Sequence, residues 1–326
     1  MAEITLVEAV ALAHARAMED DPKVLVLGED VGVNGGVFRA TLGLLERFGA
    51  ERVYDTPISE AMIPGLCVGL AARGFRPVAE IQFMGFLYPA LDQMVNHAAR
   101  MRTRTRGRLS CPMVLRAPYG GGVHAPEHHS ESTEAMFAHA PGLRVVVPSS
   151  PQRAYGLLLA AIRDPDPVLF LEPKRLYRAV RDEVADDGRA LPLDRCIVLR
   201  EGDDVTVVTW GAMVRECLEA GAQLAEQGVA AELIDLATLK PLDFATVQAS
   251  VERTGRCVIV HEAPITAGFG AEVAARLADA AIFSLRAPIK RVAAPDIVPP
   301  LPRLEQHFMP TTARIVDTVR ELMRYT

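Results

Sequence analysis

Short runs of aliphatic and β-branched residues alternate with stretches of helical periodicity along the whole chain, in two successive series. In the first series Val24–Leu27 (VLVL), Pro77–Phe83 (PVAEIQF), Met113–Arg116, Arg144–Val147 and Val168–Leu171 read as strands. Helices are expected from Leu6 to about Met18, from Ser59 to about Arg73, from Tyr88 to about Met101 and over Pro151–Arg163. Thr5 and Glu8 form a T-x-x-E capping box at the first helix, Ser59 is the expected cap of the second, and Pro64 is expected to distort that helix locally. Parallel strands need a crossover, and a helix is the usual one, so this alternation predicts a mainly parallel sheet with helices on both faces. The series then restarts. Strands are predicted at Val205–Trp210, Ala231–Leu236, Cys257–His261 and Ile289–Val292, with helices at Val214–Gln227, Phe244–Glu252, Glu272–Ala280 and Thr312–Arg324. Between the two series DEVADDGRALPLDR is acidic, contains Gly and Pro, and has no period. The expected organisation is therefore α/β with two domains, 1–182 and 196–326, joined by a linker at 183–195.

The length of 326 residues suits two domains, each able to bury its own core. A formal charge of −6 without a basic block argues against a nucleic-acid partner. Five scattered cysteines, none at CxxC spacing, argue against a disulfide framework or a zinc site and suit a reducing compartment. No apolar run reaches the length of about 18 residues that a membrane span needs, and no charged-then-apolar leader opens the chain. A cytoplasmic location is expected.

Several residue groups could carry chemistry. Gly268-Phe269-Gly270 lacks the third glycine of a dinucleotide fingerprint, no P-loop motif exists, and a tight turn entering a helix is the plain reading. His124, His128 and His129 lie within six residues, beside Glu127 and Glu131. Metal binding, catalysis and a polar surface loop are all open readings of that cluster, although its spacing matches neither HExxH nor a zinc finger. Glu29 follows the VLVLG strand, and Glu60 sits at an expected helix start after DTPIS. Ligands in open α/β sheets bind beyond the carboxyl ends of strands, but a glutamate at a helix start also serves the helix dipole. Phe83, Phe86 and Tyr88 cluster after a strand and could pack in a core or against a flat ligand.

Taken together, GEDVG at 28–32, DTPISE at 55–60, RP-x-AEIQF at 76–83, PALDQ at 89–93 and HHSES at 128–132 resemble one family. So do AHAPGLRVVVPSSP at 138–151, FLEPKRLYR at 170–178 and HEAP at 261–264. The ordered set resembles the beta subunit of the decarboxylating component of 2-oxo acid dehydrogenase complexes. AEIQF, PALDQ, EPKRLYR and HEAP are similar to the branched-chain (2-oxoisovalerate) subgroup in particular, with the pyruvate dehydrogenase beta subunit as the alternative. The resemblance implies a pyrimidine-binding domain and a transketolase C-terminal-like domain. It also implies thiamine diphosphate at the interface of an α2β2 heterotetramer, and acyl transfer to the lipoyl group of an acyltransferase partner.

The same resemblance assigns roles. Glu60 matches the carboxylate that touches N1′ of the aminopyrimidine, and Phe86 the aromatic that packs on that ring, where the branched-chain group often has tyrosine. Gln82 is a plausible second contact, Glu29 an acid near the pyrimidine pocket, and His129 the histidine facing the reacting carbon, with His128 second. A structural potassium site would map to carbonyls of Met113, Ala161 and Ile162 with Asp164 and Asp166, although asparagine is common where Asp166 stands. The metal- and diphosphate-binding GDG motif is missing: Asp186-Asp187-Gly188 and Gly202-Asp203-Asp204 do not fit it. Mg²⁺ is therefore expected mainly on the alpha subunit, and this chain is expected to be inactive alone. A complete transketolase-like enzyme would need a longer chain, and a non-catalytic scaffold would not need Glu60, Phe86 and His129 together.

Overall fold

The computed structural model describes residues 2–325. Two compact units divide the chain. One takes in the residues up to Tyr119 together with Met136–Leu193; the other comprises Gly120–Ala135 and the chain from Asp194 onward.

In chain order the first series contains β1 (Ala2–Thr5), α1 (Leu6–Asp20), β2 (Val24–Gly28), α2 (Leu44–Phe48), β3 (Val53–Asp55), α3 (Met62–Ala72), β4 (Arg76–Glu80), α4 (Met101–Arg104) and β5 (Val114–Tyr119). It continues with α5 (Glu134–Ala138), β6 (Arg144–Val146), α6 (Pro151–Arg163), β7 (Val168–Pro173) and β8 (Arg181–Val184). Strands of the first unit pair in the order β6-β7-β5-β4-β2-β3, all parallel. β2, β5 and β7 are buried along their whole length, which is why they read as unbroken apolar runs rather than alternating ones. The capping box starts α1 as expected: the Thr5 N–H donates to Glu8 at 2.7 Å, and the Glu8 N–H returns to the Thr5 hydroxyl at 3.4 Å.

Four local expectations differ from the structure. A strand, β1, precedes α1 and pairs antiparallel with β8, which takes up the start of the expected linker. Both are short edge pieces whose polar residues show no clean period. Ser59 does not cap α3 with its side chain; the cap is Ala61, and the Ser59 carbonyl accepts from Ile63 N–H at 3.0 Å. Glu60 thus lies in the turn before the helix. Pro64 falls in the first turn of α3, where a missing N–H breaks no helical bond, so it does not distort the helix. The helix expected over 88–101 is broken up: a turn at 88–90 leads into a π-helical stretch at Gln93–Ala98, and regular α-helix resumes only with α4 at Met101.

The first unit also buries a charge network. Arg116 on β5 donates to Glu80 at 2.9 Å and to both oxygens of Glu172 at 2.6 and 2.8 Å, and Tyr177 donates to Glu172 at 2.6 Å. All four side chains are removed from water, so every charge there must be met by another.

The second series contains β9 (Ile197–Arg200), β10 (Val205–Thr209), α7 (Met213–Glu226), β11 (Ala231–Asp235), β12 (Thr238–Lys240) and α8 (Phe244–Thr254). It ends with β13 (Cys257–Pro264), α9 (Phe269–Ala280), β14 (Lys290–Ala294), α10 (Glu305–Phe308) and α11 (Thr312–Leu322). The sheet order is β14-β13-β10-β11-β9, parallel except for the edge strand β9. Val207, Leu233, Val258 and Val260 form a core with Cys217 and Leu224 of α7 and Ile315 and Val319 of α11. The Gly268-Phe269-Gly270 turn packs on a buried ring: a Cβ at Gly270 would lie 2.7 Å from His261. Among the described residues no helix is long and apolar enough to cross a membrane.

Candidate active site

Three neighbouring strands of the first unit deliver the candidate residues to one edge of its sheet. Gly28 at the end of β2 lies in register with Asp55 at the end of β3 and with Glu80 at the end of β4. The chain then runs on into Glu29, into Thr56–Glu60, and into Gln82 and Phe86. This is the carboxyl edge of a parallel sheet, where α/β folds hold ligands. The close spacing of the strands requires a glycine at the end of β2, because a Cβ at Gly28 would stand 2.7 Å from the Glu80 carbonyl. The Asp55 carboxylate accepts from Gly32 N–H at 2.6 Å and Val33 N–H at 3.2 Å, so the GEDVG and DTPISE motifs brace each other.

Glu29 is buried, and its Oε1 has no hydrogen-bond partner. Burial raises its carboxyl pKa, the charges of Glu60, Asp30 and Glu80 add to that rise, and the Ser59 N–H opposes it. A carboxyl with an open oxygen and a raised pKa suits a polar ligand that can share a proton. Glu60 is half-buried beside it, and Ile58 is 82% exposed on the same turn. Phe86 is half-buried and meets Phe83 edge-on at 5.7 Å, while Phe83 meets Phe38 at 5.5 Å. Two carboxyl groups, the Gln82 amide and the Phe86 ring therefore all follow the ends of neighbouring strands.

His128 and His129 belong to the other unit, with the Gly120–Ala135 segment. His128 is exposed and His129 half-buried, both on a single 3₁₀ turn at Glu127–His129. Glu131 lies 3.7 Å from the His128 ring, whereas His124 pairs with Glu305 at 2.9 Å, so the cluster divides its partners. Among the described residues no group of three or more His, Cys, Asp or Glu could hold a metal ion.

Other residues stand out only in three dimensions. Glu134 is completely buried and takes the Trp210 indole N–H at 3.2 Å. Burial pushes its pKa up to about 7, with the nearby Glu262 charge adding to the rise. Trp210 stacks on His261 at 5.2 Å, and burial holds that imidazole neutral by lowering its pKa to about 4. Glu262 and Glu305 hold backbone N–H groups of the Gly120–His124 turn. HEAP and the glycine-rich loop were visible in the sequence; their partnership was not.

At the expected potassium positions the oxygens already have partners. Arg76 donates to the carbonyls of Ile162 at 3.1 Å and Asp164 at 3.4 Å. Arg144 pairs with Asp164 at 3.0 Å and Arg102 with Asp166 at 2.7 Å. The Met113 carbonyl accepts from Val168 N–H at 3.0 Å.

Residues 2–180 match the transketolase pyrimidine-binding domain and residues 194–315 the transketolase C-terminal domain. The chain is 49% identical to the pyruvate dehydrogenase E1 component subunit beta of Bacillus subtilis, over 100% of both chains. It is 47% identical, with the same coverage, to the protein of that name from Staphylococcus epidermidis. A solved structure described as a split-gene transketolase, an inactive beta4 tetramer, superposes with a TM-score of 0.79 at 24% identity, covering 99% of each chain. A Pichia stipitis transketolase superposes with a TM-score of 0.73 at 13% identity, over 99% of this chain and 46% of that one. These structural likenesses establish the shared fold.

Proposed function

The chain belongs to the beta subunits of thiamine-dependent 2-oxo acid dehydrogenases, and on that premise we propose that its 2-oxo acid is pyruvate and that it acts only with an alpha subunit. Full-length relatives at 46–49% identity bear the pyruvate dehydrogenase name, and that whole-chain likeness outweighs the short segments that favoured the branched-chain acid. The single observation that carries the catalytic reading is the placement of Glu60 beside the buried Glu29 at the carboxyl edge of β2, β3 and β4.

When bound, thiamine diphosphate supplies a nucleophilic carbon and an electron sink for decarboxylation. Glu60 would hold the proton at N1′ of its aminopyrimidine, and this is acid–base work done through the ring. Glu29 would keep its own proton longer than an ordinary carboxyl and so limit the negative charge around Glu60. Phe86 would pack on the ring face, and the Gln82 amide would orient its edge. His129 would give a proton to, or hold the carboxylate of, the reacting acid, with His128 beside it in the chain. The acyl product would pass to the lipoyl group of an acyltransferase. The diphosphate and Mg²⁺ would be held by the alpha subunit, since this chain has no GDG motif and the N–H groups of its Gly120–His124 turn already donate to Glu262 and Glu305. The exposed Ile58 beside Glu60 suits burial against such a partner.

The test is 2-oxo acid-dependent dye reduction by the chain co-expressed with its alpha subunit, supplied with thiamine diphosphate and Mg²⁺. Activity is expected only in the pair, with pyruvate preferred over 3-methyl-2-oxobutanoate. Activity of this chain alone would overturn the shared-site reading. Glu60→Gln in the pair is expected to cost about 10²–10⁴-fold in kcat, the usual share of a positioned acid–base group. A scaffold subunit would keep its full rate.

A further inference from the structure

We propose that Glu262 and Glu305 are positioning residues, which set the place of His128 and His129 by gripping the backbone of the glycine-rich turn ahead of them. The inference rests on the reading of His129 as proton donor to the reacting acid, and it concerns what holds that histidine in place.

Gly120 (φ +87°), Gly122 (φ +82°) and His124 (φ +57°) adopt left-handed conformations at alternate residues of the turn. The chain meets the N–H groups of that turn with two of its own carboxylates. Gly121 N–H donates to Glu262 at 3.0 Å, Gly122 N–H to Glu305 Oε1 at 2.7 Å, and His124 N–H to Glu305 Oε2 at 3.2 Å. The His124 Nδ1 lies 2.9 Å from that same Oε2.

Two features mark this as more than loop closure. First, both carboxylates are buried, at 3% exposure for Glu262 and 6% for Glu305, and burying a charge is costly unless its bonds are made. A surface loop could have left these N–H groups to water. Second, His124 carries a Cβ into the left-handed region while its ring is 76% exposed, so packing does not offset the strain; its two contacts with Glu305 do. The fit around the glycines is equally tight. A Cβ at Gly120 would lie 2.6 Å from the Glu262 carboxylate, and one at Gly121 would lie 2.9 Å from the Met309 sulfur.

The grip reaches the histidines because the segment closes on itself. Gly120 N–H donates to the Glu131 carbonyl at 2.9 Å, His129 N–H to the Pro126 carbonyl at 3.0 Å, and the Ser130 hydroxyl to the Ala125 carbonyl at 3.2 Å. Beyond it, Glu134 is anchored by the Trp210 indole. A displaced turn therefore displaces the His128–His129 turn with it.

The experiment uses the assembled alpha–beta protein with thiamine diphosphate and Mg²⁺. Amide hydrogen exchange of the wild type comes first, and needs no variant to fold. The Gly121, Gly122 and His124 amides are expected to be protected; free exchange at these three would overturn the grip. In Glu305→Gln and Glu262→Gln the same amides are expected to exchange about tenfold faster or more, the loss that follows from weakening a charge-assisted hydrogen bond. Their kcat for pyruvate should fall about tenfold while KM stays within about twofold, as expected when the substrate still binds but the group facing its reacting carbon is misplaced. His129→Ala, measured alongside, separates the two readings. If His129→Ala loses activity while both glutamine variants keep the wild-type kcat, the positioning inference falls and the role of His129 stands. If His129→Ala is fully active, the role of His129 falls and the inference falls with it.

Discussion

Glu134 loses its water completely and gains only its own backbone N–H and the Trp210 indole N–H in return, so its proton leaves near pH 7 instead of in the usual carboxyl range. The consequence for stability has a definite sign. Between the unfolded carboxyl range and pH 7 the folded chain binds this proton and the unfolded chain does not, so stability falls as pH rises through that window. A rise of this size corresponds to about 3 kcal/mol lost by pH 8 relative to pH 4. Glu134→Gln removes the titration and keeps an acceptor for the indole. Its unfolding midpoint is expected to lack the downward slope of the wild type between pH 5 and 7; an unchanged slope would exclude Glu134 as the source. Arg116 makes the opposite case, since its charge is held by two buried carboxylates and its pKa is raised by them against the effect of burial. Arg116→Met strands Glu80 and Glu172, and a loss of about 3–5 kcal/mol is expected in denaturant titration.

Among the elements, the β2–β3–β4 edge decides where chemistry can sit. Gly28 has φ +151°, and a Cβ there would stand 2.7 Å from the Glu80 carbonyl. Gly28→Ala must push β2 from β4 and move Glu29 away from the Ser59–Glu60 turn. A loss of activity in the alpha–beta pair is expected, together with a destabilisation of about 1–3 kcal/mol, the usual cost of overpacking. The capping box of α1 gives a milder test at a site without catalytic meaning. Thr5→Ala is expected to cost about 1 kcal/mol of stability and to leave kcat unchanged.

For the whole molecule, the open question of an alkali ion becomes one of competing cations. The oxygens of Ile162, Asp164 and Asp166 already serve Arg76, Arg144 and Arg102. Guanidinium groups supply the positive charge that a potassium ion would otherwise bring, without its dehydration. Replacing KCl by choline chloride at equal ionic strength is therefore expected to leave the unfolding midpoint unchanged. A higher midpoint in KCl alone would assign these oxygens to a bound ion shared with Arg76.

Much of this protein was legible in its residues because the determining physics is local or periodic. Buried parallel strands such as Val24–Gly28 and Val168–Pro173 show as apolar runs, α1 announces itself by Thr5 and Glu8, and the ordered motifs resemble one family whose domains the chain matches along its length. Glu29 and Glu60 could be nominated for the same reason, since each follows a strand or its turn at short range, whereas Gln82 and the ring-packing role of Phe86 came from the resemblance. What the residues could not disclose is any partnership across long chain separations. Glu262 and Glu305 lie 141 and 183 residues from the glycines they hold, and Arg116 reaches Glu172 across 56 residues. Nothing in the local pattern distinguishes a glutamate that will face water from one that will be buried against a backbone N–H. Only the folded sheets bring those groups together, because burial removes the water that would otherwise have satisfied them separately.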